Sequence, residues 1–287
     1  MNAVTKETYA IEKPPFREVG GFLLNLADNA LILGHRNSEW CGHGPVLELD
    51  IAISNIALDL VGQARNFYQY AAGIVNQHEN THRKVSPEGG DLEEAGAVAT
   101  EDTLAYHRNA TDFKNCLLVE QPNGDWGVTI MRQFLFSTYQ YYLYQQLQHS
   151  NNAQIAAIAA KALKEVTYHV RWSSEWVIRL GAGTEESHKK MVNAVNVLKP
   201  FVGELFTPVD YETTAFENGY GADVTALQSA WQQKITAIFT QATLEATLPF
   251  TMAASTPLGK NGKHTHHLES LLAEMQVLQR THPGAEW

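Results

Sequence analysis

The sequence predicts an all-α fold, and three observations predict it. Apolar residues recur at spacings of three and four, glycines and capping residues punctuate long segments, and no stretch alternates Val, Ile and Thr as a strand does. Long periodic segments joined by short turns favour a long-helix bundle, here with additional helices towards the C-terminus. The first helix is read over Leu23–Arg36 and the second from Pro45 to about Val75, where Ile53, Ile56, Ala57, Leu60, Ala64, Phe67 and Ala71 make one apolar face. Pro122 to Asp125 turns the chain into a third helix reaching about Gln148, rich in Tyr139, Tyr141, Tyr142 and Tyr144. A fourth spans Ala153 to Leu180 and closes at Gly181-Ala182-Gly183, where glycine is expected to take the left-handed conformation. Thr184 caps a fifth that Pro200 limits or kinks, and 207–221 reads as irregular. Asp223 caps a sixth to about Ala246, and a last helix covers Leu268 to Arg280.

With 287 residues and dispersed apolar positions, one large domain is expected, carrying an N-terminal extension over 1–19 and a flexible insertion over 76–101. Twenty-one Lys and Arg against 31 Asp and Glu leave a net charge of −10, which disfavours nucleic acid and anionic membrane as partners. The first sixteen residues lack an apolar leader run and no eighteen apolar residues are consecutive, so a cytoplasmic protein is expected. Cys41 and Cys116 stand outside any metal or redox spacing and are read as small buried hydrophobes.

Carboxylate-bridged metal bundles take a lone Glu from each of two helices and a Glu-x-x-His pair from each of two others. From Ile130 to Lys164 this chain has no Asp or Glu at all, so one long helix has no acid to offer. In the metal-motif register the second helix presents Leu60 and Gln63, and the fourth presents Val166 and His169. Glu165 and His169 are four apart, not three, and His169 and Asp28 alone are too few donors for iron. The reading is a buried polar network of Asp28, Asp59, Gln63, Glu165, His169 and Arg171 that fixes helix register, with no catalytic, cofactor or metal residue in the chain. Two rivals stay open: a self-sufficient di-iron oxygenase using Asp28, Asp59, Glu165 and His169, and a CoA-ester binding module gripping phosphates with Lys260 and Lys263. The Gly259 to His267 stretch reads more simply as a solvated loop, and Trp40-Cys41-Gly42-His43-Gly44-Pro45 as a tight inter-helix turn. No Gly-x-Ser-x-Gly elbow or phosphate-binding Gly-rich loop is present, which removes nucleophilic hydrolases and nucleotide hydrolases.

Several blocks carry a family resemblance. They are Leu26-Ala27-Asp28-Asn29-Ala30-Leu31, Glu39 to Pro45, Asn55 to Arg65, Leu118 to Gly124, Lys164-Glu165-Val166-Thr167-Tyr168-His169, Arg179-Leu180-Gly181 with Gly183-Thr184, and Leu272 to Gln276. In this order they resemble the C-subunit family of phenylacetyl-CoA epoxidases over nearly the whole chain, with a longer 76–101 segment. The resemblance implies a ferritin-like fold and a structural role in a multicomponent oxygenase of aerobic phenylacetate catabolism. It places the di-iron site in a homologous A subunit, and adds a small B subunit and a reductase as further partners. The Tyr-rich third helix is the expected face for the A subunit.

Overall fold

The computed structural model describes residues 16–83, 98–248, 258–282 and 285. Among these, eleven α-helices and four short 3₁₀ turns occur, and no strand. The first helix, α1 (Phe16–Ser38), starts seven residues before its predicted start, so 16–19 belong to it and not to an extension; residues 1–15 lie outside the described part. It returns through a short elbow along α2 (Leu47–Arg83). Here 76–83 continue the helix, contrary to the expected insertion, because this stretch, though polar, carries no Gly or Pro to stop it. The rest of that insertion, 84–97, is outside the described residues.

The elbow is tight for a local reason. Gly42 has φ +80°, the Gly44 N–H donates to Asp50 Oδ2 at 2.9 Å, and a Cβ at Gly44 would meet Asp50 at 2.7 Å. Those backbone N–H groups hold the Asp50 carboxyl below its ordinary pKa. Trp40 stacks edge-on against Trp126 at 4.9 Å, and Trp126 against Trp172 at 6.4 Å, tying the elbow to the two long helices that follow. Within the elbow Cys41 is exposed, which corrects the expectation that both cysteines are buried; Cys116 is.

After the short helices α3 (Glu101–Tyr106) and α4 (Leu117–Glu120) come the second long pair, α5 (Trp126–Leu147) and α6 (Ala153–Gly181). The Asp125 side chain accepts the Val128 N–H at 3.0 Å and caps α5, while Asn152 accepts two N–H groups of α6 at 3.1 Å. Gly181 and Gly183 do end α6, but neither takes a positive φ. They are needed for space: a Cβ at Gly181 would meet the Ala242 carbonyl at 2.5 Å, and one at Gly183 the Arg179 carbonyl at 2.6 Å.

The helix α7 (Glu185–Val202) runs through Pro200 and packs on α5, with Thr184 accepting the Ser187 N–H at 3.2 Å. The stretch read as irregular contains α8 (Asp210–Glu217), which packs on α1. Asp223 organises the turn before α9 (Leu227–Gln241) by accepting from Thr225 and Ala226, and α9 ends five residues short of Ala246, followed by Thr243 at φ 58°. Fully buried Trp231 donates to the Leu135 carbonyl at 2.9 Å and locks α9 to α5. The predicted last helix is two, α10 (His266–Met275) and α11 (Val277–Thr281), parted at Gln276, whose amide donates to the carbonyls of Ala105 and Arg108. Among the described residues no helix is long and apolar enough to cross a membrane.

Candidate functional site

At the middle of the bundle, α2 and α6 meet across the metal-motif register. Leu60 and Val166, standing where carboxylates would, are fully buried aliphatics. Gln63 Nε2 donates to Glu165 Oε2 at 2.9 Å, and its Oε1 accepts the Tyr144 hydroxyl at 3.4 Å. Burial pushes the Tyr144 phenol above its ordinary range, so it remains a neutral donor. Glu165 is half-buried and satisfied by an amide, an arrangement that carries no charge partner and no bridging acid.

One turn earlier on α2, Asp59 Oδ2 lies 3.0 Å from His169 Nε2. A carboxylate only accepts, so Nε2 carries the proton. Among the described residues the fully buried Nδ1 has no hydrogen-bond partner. This centre offers one imidazole and the half-exposed carboxylates of Asp59 and Glu165, each already bonded within the protein. Among the described residues, no three His, Cys, Asp or Glu side chains converge on one point. A carboxylate-bridged metal pair therefore does not fit the side chains present.

Asp28, read as part of the same network, belongs to a different one. It is fully buried and bonded by the Tyr68 hydroxyl, by both terminal nitrogens of Arg108, and by the Lys114 N–H at 2.7 Å. Burial alone would lower the Arg108 pKa; the Asp28 carboxylate overrides it and raises the guanidinium above its ordinary value. Asp59 and Tyr68 are nine residues apart on α2, which separates the two networks by roughly 13 Å. Arg171 joins neither: it is exposed, 5.7 Å from the Tyr168 ring centroid, and lines a groove of about 450 Å³ between α5, α6 and α9. The six residues thus form a Gln63–Glu165 bond, an Asp59–His169 bond and an Asp28 cluster, with Arg171 outside, because helical periodicity fixes a face but not a depth along the axis.

The densest buried charge lies elsewhere, and sequence reading missed it. The 258–267 segment is no solvated loop. Lys260, 1 % exposed, pairs with Glu212, 2 % exposed, at 2.9 Å, and the Lys260 N–H donates to Glu204 Oε1 at 3.1 Å. Glu204 also accepts the Leu117 N–H at 2.7 Å; burial raises its pKa, opposed by those two N–H groups. Fully buried Glu120 accepts from Thr265 N at 2.7 Å and from Asn115 Nδ2 at 2.9 Å, with His264 Nδ1 at 2.7 Å. The other His264 nitrogen lies 3.0 Å from the Phe113 carbonyl, so both ring nitrogens face acceptors. Burial would lower the His264 pKa, but Glu120 outweighs it and raises it above its ordinary value. The available signal was an acid closing an apolar run, as in Leu117-Leu118-Val119-Glu120 and Phe201-Val202-Gly203-Glu204. With Lys260 bound internally, the phosphate-gripping reading of Lys260 and Lys263 is corrected; Lys263 alone of the pair is exposed. The Tyr-rich helix is corrected too, since α5 is buried through most of its length and Tyr139 and Tyr144 are in the core.

The model of a family described as "Phenylacetic acid catabolic protein" matches residues 1–287. This chain belongs to that family. Within the phenylacetic acid catabolic proteins it is 43 % identical over 270 residues to the C subunit of the 1,2-phenylacetyl-CoA epoxidase of Escherichia coli (strain K12), covering 94 % of this chain and 99 % of that relative.

Proposed function

We propose that this chain is the structural, non-catalytic C-type subunit of a cytoplasmic 1,2-phenylacetyl-CoA epoxidase. It pairs with a homologous di-iron A subunit and stabilises it, while a small B subunit and a reductase complete the complex. The observation that carries the reading is the aliphatic and amide character of the metal-register positions, with Leu60 and Val166 buried and Gln63 spent on Glu165. The identity to an epoxidase C subunit over nearly the whole chain supports the assembly.

Chemically, the chain's contribution is shape. The epoxidation requires oxygen activation at a metal pair, and a bundle whose centre is occupied by aliphatic side chains and an amide supplies a rigid surface instead. Its core needs no metal to satisfy its buried acids, because each of Asp28, Glu120, Glu204 and Glu212 already has protein donors. The self-sufficient oxygenase has no support from this arrangement, since Asp28 is consumed by Arg108 and stands apart from His169.

Metal analysis of the purified lone chain, set beside the same chain co-purified with the A subunit, tests the proposal. Negligible iron alone and iron with epoxidase activity in the complex are expected. Stoichiometric iron on the lone chain, or activity without the A subunit, would refute it.

A further inference from the structure

Of the twelve large apolar side chains exposed among the described residues, five fall in one stretch: Val46, Leu47, Ile51, Leu58 and Val61. Elsewhere they occur one or two to an element, as at Val197 on α7 and Phe216 on α8. Leu47, Ile51, Leu58 and Val61 follow the 4-7-3 spacing that places them on a single stripe of α2. The stripe is opposite to Ile53, Ile56, Leu60 and Phe67, which are wholly buried. Behind it, α1 is drawn close by Gly34, where a Cβ would sit 3.1 Å from Val61 and 3.3 Å from Leu60. One and two turns further along α2 the same stripe becomes polar at Arg65 and Gln69, which bind Glu101 of α3 at 3.3 and 2.8 Å. Beside α3 the stripe is exposed and polar; from Leu47 to Val61 it is exposed and aliphatic.

We infer that this uncovered stripe, Leu47 to Val61 on α2, is the surface on which the partner subunit lays a long helix of its own. The inference rests on the pairing proposed above and adds its location. Area and charge both favour such an occupant. The exposed parts of the five residues amount to roughly 500 Å², at the upper end for an isolated patch and more than half of the roughly 800 Å² each partner gives to a standard interface. One edge of the stripe carries Glu48, Asn55 and Asp59, all solvent-accessible. An antiparallel two-fold pairing of α2 with its own copy would set this acidic edge against itself, between chains of net charge −10. A different helical chain with basic residues beside an aliphatic face meets both requirements.

The test uses the full chain and the purified A-type subunit of the same complex. Affinity is measured for the wild type, Ile51→Asp, Leu58→Asp, and the control Val197→Asp, each checked for helix content and melting temperature. The stripe variants are expected to lose at least 100-fold in affinity while the control stays within threefold of wild type. Hydrogen exchange of the unmodified pair gives a reading that needs no variant: amides of 46–62 are expected to gain protection on mixing. Wild-type binding retained by both stripe variants, with no added protection, overturns the location and leaves the pairing standing. A wild-type chain that captures no A-type subunit overturns the pairing, and the location with it. Self-association of the lone chain abolished by Leu58→Asp, or full protection of 46–62 already in the lone monomer, assigns the stripe to a second copy or to the chain itself and overturns the inference.

Discussion

The centre of the bundle and the C-terminal clasp bury polar groups in opposite ways. Between α2 and α6 the buried contacts are an amide to a half-exposed acid and an imidazole to a half-exposed acid. Where 258–267 closes over α4 and α8, three acids, a lysine and a histidine are sealed within the protein. A family member that held metal would concentrate its acids at the centre; this chain concentrates them where its last helices lock on. Buried charge here fastens one part of the fold to another, while the buried aliphatics Leu60 and Val166 occupy the centre.

The largest effect is expected at the clasp. Lys260→Met leaves Glu212 buried without its cation, so unfolding free energy should fall by about 3–5 kcal/mol in denaturant titrations. A loss below about 1 kcal/mol would break the contrast. Asp28→Asn removes the counter-charge of Arg108, whose side chain is 12 % exposed, and should cost roughly 3 kcal/mol by the same measurement. At the centre the expected cost is small: Gln63→Leu frees a Glu165 that water can reach, and about 1 kcal/mol is expected. Equal costs at Gln63 and Lys260 would mean that the centre is as tightly built as the clasp.

The fourth expectation concerns pH. Because the His264 pKa is raised in the folded chain, its contribution to stability is complete below the ordinary value of 6.5 and is lost as pH rises through the folded value. The melting-temperature gap between wild type and His264→Gln should therefore be widest at pH 6 and narrow towards pH 9, by a few degrees. A gap that widens with pH would show that the ring is held neutral, with one nitrogen facing an acceptor unprotonated.

The long helices were legible because their apolar period survives over many turns, as from Ile53 to Ala71 on α2. Their ends were less so: α2 runs on to Arg83 through residues that merely look like loop, and α8 is a two-turn helix whose capping acid, Glu212, serves Lys260 as well. The unsuitability of the metal register was readable at Leu60, Gln63 and Val166, since it depends only on residue type and spacing. The clasp was not, since Glu120 and His264 are 144 residues apart and only tertiary folding joins them. The Asp28 cluster failed to merge with His169 for the same reason, depth along α2 being invisible to a helical wheel.

The two cysteines differ in a way that provides a reporter. Cys116 is sealed in the core, where burial pushes its thiol pKa well up, while Cys41 sits exposed at the elbow, six residues before the aliphatic stripe begins. A maleimide dye added to the native chain will therefore select the elbow thiol and stand beside the stripe. Its emission should change when that surface leaves water, giving an optical titration of assembly on an unmutated protein.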